Sequence, residues 1–147
     1  MFYKGLCIIP EGSRIKSVKD DTKDVIYNVS NIKNLDKYLA YAKTCNLGIL
    51  YLSTKHGVVY ADDIVMPSPV YLYKFSTDNL KIWSGVISEQ LYRECINHGV
   101  SIIHLMIKNR NLYKQLINNL ILRGVRVELP LLSNNRGNIL WQAIKNR

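Results

Sequence analysis

The sequence predicts an α/β fold: a mostly parallel sheet of four or five strands with helices on both faces. Two observations predict it. Short apolar runs at residues 5–9, 47–52 and 100–106 read as buried strands, and Val125-Arg-Val-Glu-Leu129 as a fourth strand. Between them lie stretches whose apolar residues recur at three- and four-residue spacing, the signature of amphipathic helices. Strands and helices in alternation build βαβ units around a parallel sheet.

The elements follow in order. Gly5-Leu-Cys-Ile-Ile9 is a strand closed by Pro10. Residues 10–24 are polar and read as a loop, and 24–27 as a short extended piece. Ser30 is placed to cap a helix over about 31–45, with Ile32, Leu35, Tyr38, Leu39 and Ala42 on its apolar face. Leu47 to Leu52 is the second buried strand, closed by Ser53-Thr-Lys-His-Gly57, and 58–76 reads as irregular around Pro67 and Pro69. Ser76 or Thr77 caps a helix over about 78–97, whose inward face is read as Ile82, Trp83, Val86, Ile87, Leu91 and Cys95, with Gly99 as its stop. Val100 to Met106 is a strand. Residues 110–122 form a helix with stripes Leu112/Leu116/Leu120 and Tyr113/Ile117/Ile121, ended by Gly124. Val125 to Leu129 is a fourth strand ended by Pro130, and a short helix starts near Asn138. The whole, 1–147, reads as a single Rossmann-like three-layer domain.

Composition agrees with a globular chain: 147 residues, 48% hydrophobic and 21% charged, are wrong for a disordered segment. No apolar run approaches a membrane span, and Met1-Phe-Tyr-Lys4 does not open like a secretory signal. Cys7, Cys45 and Cys95 are odd in number, far apart and set in apolar runs, so they read as free thiols of a reducing compartment, and a cytoplasmic location is expected. Abundant Ile, Asn, Lys and Tyr point to an A+T-rich genome. No membrane partner and no cofactor is expected; no Walker loop, dinucleotide fingerprint or zinc-ligand spacing is present.

The net charge is +9, and residues 101–147 hold most of the excess, with eight basic groups against Glu128 alone. Such a basic segment is the footprint of a polyanion binder, and equally of a solvated cationic surface. On the first reading Arg14, Lys108, Arg110, Lys114, Arg123, Arg126 and Arg136 hold the phosphates of a nucleic acid or nucleotide.

Ligands of open parallel sheets bind beyond the carboxyl ends of the strands, near the switch point of the strand order. This selects the loops after Ile9, Leu52, Met106 and Leu129. In the second of these, Ser53 and the amides near Gly57 can cradle an anion, Lys55 adds a point charge, and His56 is a candidate general acid or base. The same residues also make a plain turn, with Gly57 at positive φ and His56 capping backbone groups. Asp62-Asp63 is too small a set for a metal site. His104 reads as a core histidine, Trp83 and Tyr113 as core aromatics, and Tyr71 and Tyr73 as a strand face.

The stretch Ile49-Leu-Tyr-Leu-Ser-Thr-Lys-His-Gly-Val58 resembles the I-L-S-A-K-H-G-L signature of an uncharacterised α/β domain family of bacteria, archaea and phages. That signature is itself similar to a motif of the YaaA peroxide-stress-resistance family. Ile8-Ile9-Pro10, Asp62-Asp63, Pro67, Trp83, Tyr113, Val127 to Leu131, Gly137 and Trp141 fall in the family's order. The chain departs from the pattern in two places. Glu11-Gly12-Ser13-Arg14 stands where the family carries a cysteine, and Met66 to Tyr71 breaks its P-Y-D. The resemblance implies nucleic-acid metabolism, base modification or damage tolerance, in a virus, archaeon or bacterium.

The expectation is therefore a nucleic-acid- or nucleotide-binding domain. Two alternatives stand beside it. One is an enzyme of N-glycosidic chemistry on a nucleotide-like or modified-base substrate, with His56 as acid/base and Glu11 or Asp62 as its carboxylate partner. The other is a non-catalytic protein that forms a homo-oligomer through the apolar face of 112–121.

Overall fold

The computed structural model describes residues 2–10, 25–26, 32–60, 64–65 and 71–147. The apolar run at the start forms β1 (Gly5–Pro10), and the second forms β3 (Leu47–Ser53), parallel to β1 from Gly5↔Leu47 to Pro10↔Leu52. On the other side of β1 lies β6 (Ile102–Leu105), and beyond it β7 (Arg126–Glu128), both parallel. One antiparallel strand, β4 (Gly57–Val59), folds back on β3 and completes a five-stranded sheet of order β4-β3-β1-β6-β7. The expected α/β sheet is therefore present.

Helices cover both faces. α1 (Leu35–Thr44) and α4 (Asn138–Lys145) enclose one core with Cys7, Ile9, Tyr41, Tyr51 and Trp141. α2 (Thr77–His98) and α3 (Arg110–Leu122) enclose the other with Leu6, Ile8, Leu50, Leu91, Ile103 and Leu116. Successive residues of β1 thus point into opposite cores, which is why its sequence is apolar without alternation. The chain leaves β1 by α1 on one face and reaches β6 by α2 on the other, so the strand order reverses at β1.

Several expectations change. Residues 58–76 are not wholly irregular: β4 begins at Gly57, β5 (Ile64–Val65) pairs antiparallel with β2 (Val25–Ile26), and a 3₁₀ turn spans Leu72–Lys74. Short hairpins carry too few residues to show a period of two. Tyr71 and Tyr73 flank and enter that turn, with rings 5.6 Å apart, and are not a strand face. The first helix starts at Leu35 behind Asn34, whose φ of 63° ends the preceding turn; the expected cap Ser30 lies outside the described residues. For α2 the cap is Ser76, whose Oγ accepts the Asn79 N–H at 3.1 Å. Its inward face is Ser84, Ile87, Ser88, Leu91 and Cys95, while Ile82 and Val86 stay 66% and 52% exposed. The buried serines were passed over because they are polar, and that turned the predicted face too far toward Ile82.

Cys7 and Cys95 are buried free thiols as read, and Cys45 is half-buried. Burial pushes the Cys7 thiol up to about 12 and that of Cys95 to about 11, which keeps both protonated. No described helix is long and apolar enough to cross a membrane.

His104 is the satisfied core histidine expected. Burial holds the Tyr41 phenol well above its usual range, so it keeps its proton, and its oxygen and His104 Nδ1 share a hydrogen bond of 2.8 Å whose donor is set by the imidazole tautomer. Across the sheet His104 faces Glu128, which pairs with Arg126 at 2.6 Å. Burial lowers the His104 pKa, Glu128 opposes this and Arg126 adds to it. A histidine whose folded pKa lies below its unfolded value of 6.5 favours folding most above that value. Its contribution is lost as the pH falls from 6.5 through the folded pKa. Urea midpoints should therefore drop between pH 7.5 and 5.5, and less steeply in His104→Asn. Tyr41→Phe, which leaves His104 Nδ1 without its partner, should cost about 1–3 kcal/mol at pH 7.5 in the same titration.

Candidate functional site

The turn after β3 forms one wall of a cleft. Its other wall is the outward side of α2, from Asn79 to Gln90, together with Phe75 just before the helix. The cleft encloses about 370 Å³, which lies in the size range of small-molecule sites. Lys55 and His56 stand on its rim, and Phe75, Ile82, Trp83, Val86 and Ile87 supply an apolar surface. No carboxylate is among its described lining residues, so Lys55 gives it a positive sign.

The turn is fixed by side chains that bind its backbone. Trp83 Nε1 donates to the Thr54 carbonyl at 2.8 Å. Gln90 Oε1 accepts the Val58 N–H at 3.0 Å. Ser53 Oγ accepts the His56 N–H at 3.2 Å from inside. Trp83 is held in turn by an edge contact to Tyr113, ring centres 6.3 Å apart; both pack against the core and stay partly exposed, and Trp83 lines the cleft rather than lying wholly in the core. Gly57 takes φ 78°, and a Cβ there would run into the Gln90 carboxamide. Glycine is needed on both counts.

The three residues selected from sequence in this loop thus separate into two roles. Lys55 and His56 face the cleft. Ser53 is fully buried, does not line the cleft, and its hydroxyl oxygen accepts a hydrogen bond from the turn. The cleft lies one strand to the side of the β1–β6 reversal, against the β3 edge of the sheet. Sequence reasoning missed Gln90 and Asn79. Their signal is their helical spacing to Trp83, seven residues later and four earlier, which places all three along one side of α2.

The basic residues of the last third do not gather into one stripe. Lys108 is exposed after β6, and Arg110 and Lys114 lie one turn apart on α3. Arg123 pairs with Glu89, which also binds Arg93 at 2.8 Å, and it lies over the Tyr92 ring. Arg126 pairs with Glu128 on the sheet face covered by α1 and α4, opposite to α3. Arg136 is exposed before α4. Arg14, Glu11, Asp62 and Asp63 lie outside the described residues. Among the described residues no three of His, Cys, Asp and Glu come together as metal ligands.

No family model matches the chain, and no solved structure does. The chain is similar to a D-fructose 1,6-bisphosphatase class 2/sedoheptulose 1,7-bisphosphatase of Trichodesmium erythraeum (strain IMS101), 27% identical over 135 residues. The match covers 85% of this chain and 36% of that enzyme, so the chain spans about a third of the length of its curated relative. This similarity overturns the expectation of a nucleic-acid- or nucleotide-binding domain, since it is to an enzyme named for sugar bisphosphates. The dispersal of the basic residues gives the physical reason: two of the seven are neutralised by carboxylates on opposite faces of the sheet.

Gly57→Ala should destabilise the protein by about 1–2 kcal/mol, from the left-handed φ alone, and by more if Gln90 is displaced. A urea titration checks this; an unchanged midpoint would show that the turn moves without cost.

Proposed function

We propose that the chain belongs to the catalytic apparatus of an enzyme acting on a phosphorylated sugar, with the cleft beside α2 as its substrate site. The observation that carries this is the pairing of Lys55 and His56 on the rim of a cleft of about 370 Å³ with no described carboxylate in its lining. A phosphate group brings two negative charges and needs a cation that no fixed anion competes for. Lys55 supplies it. The sugar's C–H faces suit the apolar wall of Ile82, Trp83 and Val86, and Asn79 offers a carboxamide for its hydroxyls. In ester cleavage water attacks phosphorus, the P–O bond to the sugar breaks, and the departing alkoxide takes a proton. His56 is placed to donate it.

The similarity to a sugar bisphosphatase supports this reading. N-glycosidic chemistry is less well served. It calls for a carboxylate beside the developing sugar cation, and the described lining residues provide none.

The test is phosphate release from fructose 1,6-bisphosphate, sedoheptulose 1,7-bisphosphate and their monophosphates, with binding measured calorimetrically. Lys55→Ala should weaken binding about tenfold or more. His56→Ala should lower turnover by about 10²–10⁴ while binding changes little. Binding that is indifferent to Lys55→Ala would remove the reading.

A further inference from the structure

We infer that Gln90 and Trp83 are positioning residues: through hydrogen bonds to the backbone of 54–58 they set where Lys55 and His56 stand over the cleft. The inference rests on the reading of that cleft as a phosphate-ester site.

The argument starts from what a turn of this length holds by itself. β4 is only three residues long, from Gly57 to Val59, and it lies at the sheet edge, bonded to β3 alone. Edge pairing of that extent is weak support for a catalytic group. Lys55 is exposed, so packing does not lock its side chain. The backbone on either side of Lys55 and His56 is tied to α2: the Thr54 carbonyl accepts from Trp83 Nε1 at 2.8 Å, and the Val58 N–H donates to Gln90 Oε1 at 3.0 Å. These two residues are seven apart, two turns of a 22-residue helix, so the spacing of their anchors is set by the helix rather than by the loop. The helix in turn is fixed to the core by Ile87, Leu91 and Cys95, which lie between or just beyond the two anchors on its inner side. Groups on the cleft rim are thereby referred to a rigid element, as close control of a reacting group requires.

Gln90 is more than filler in this role. Its Oε1 meets the Val58 N–H, and its amide stands against the Gly57 Cα, where a methyl group would collide. A side chain of similar length without an acceptor fills the space and leaves the N–H unbound.

The test is a double-mutant cycle on the full chain, with inorganic phosphate and fructose 1,6-bisphosphate as probes. Gln90→Met alone should weaken binding about fivefold or more. In a Lys55→Ala background the same substitution should have less than about half that effect in fold terms, because the group it positions is gone. Gln90→Met should also move the NMR resonance of the His56 Cε1–H at fixed pH, while that of the His104 ring stays in place. Trp83→Phe, which keeps an aromatic ring and loses the N–H donor, should act in the same direction as Gln90→Met. Equal losses from Gln90→Met in both backgrounds would show a general effect on the fold and overturn the inference, while a loss on Lys55→Ala would leave the cleft reading intact. A His56 resonance unmoved by Gln90→Met would overturn it as well. Absence of probe binding by the unaltered protein would overturn the cleft reading and this inference together.

Discussion

Burial of β1 from both sides is the constraint on which the rest of the structure depends. Leu6 and Ile8 enter the core under α2 and α3, Cys7 and Ile9 the core under α1 and α4, and all four are wholly inaccessible. A strand with two apolar faces is stable only when both are covered, so helices must lie above and below it. Burying side chains of this size contributes about 1.5–3 kcal/mol each, several times what one surface pair supplies. The reversal of strand order follows, because the chain must pass from one face to the other to cover both.

Polar groups carried into this frame meet two fates. Tyr41 and His104 are closed on each other between the sheet and α1, with Glu128 and Arg126 completing the set outward. Such an arrangement fixes the packing of the face and leaves little for a ligand. Beside α2 the polar groups of Trp83, Gln90 and Ser53 are spent on backbone, and the side chains of the turn itself are turned outward. The contrast separates a histidine within a strand that serves the core from one in the turn after a strand, on the rim of a cleft.

Much of this was legible in the sequence, for stated reasons. The runs at 5–9 and 47–52 have no charged break, and α3 shows Leu116, Ile117 and Leu120 buried where its stripes placed them. The position of Lys55 and His56 after a strand was legible too, because the end of a buried strand is a place where a parallel sheet exposes backbone. What was not legible depends on partners distant in sequence. Ser53 reads as part of an anion cradle until it is seen buried, with its oxygen accepting the His56 N–H. Gln90 is an ordinary helix residue until β4 is folded against it. The basic third reads as a single patch because sequence lists its residues side by side, whereas α3 and β7 set them on opposite sides of the sheet.

The sheet also ends in an uninviting way on both sides. β4 and β7 are three residues each, and β7 presents Arg126 and Glu128 on either side of a single valine. An incoming strand would find few free amides and carbonyls to continue the ladder, and at β7 it would have to settle beside fixed charges. Short, charged margins of this kind oppose the stacking of one copy's sheet onto another's. The protein is thereby guarded against fibrillar self-association by the same brevity that leaves its terminal strands in need of helical support.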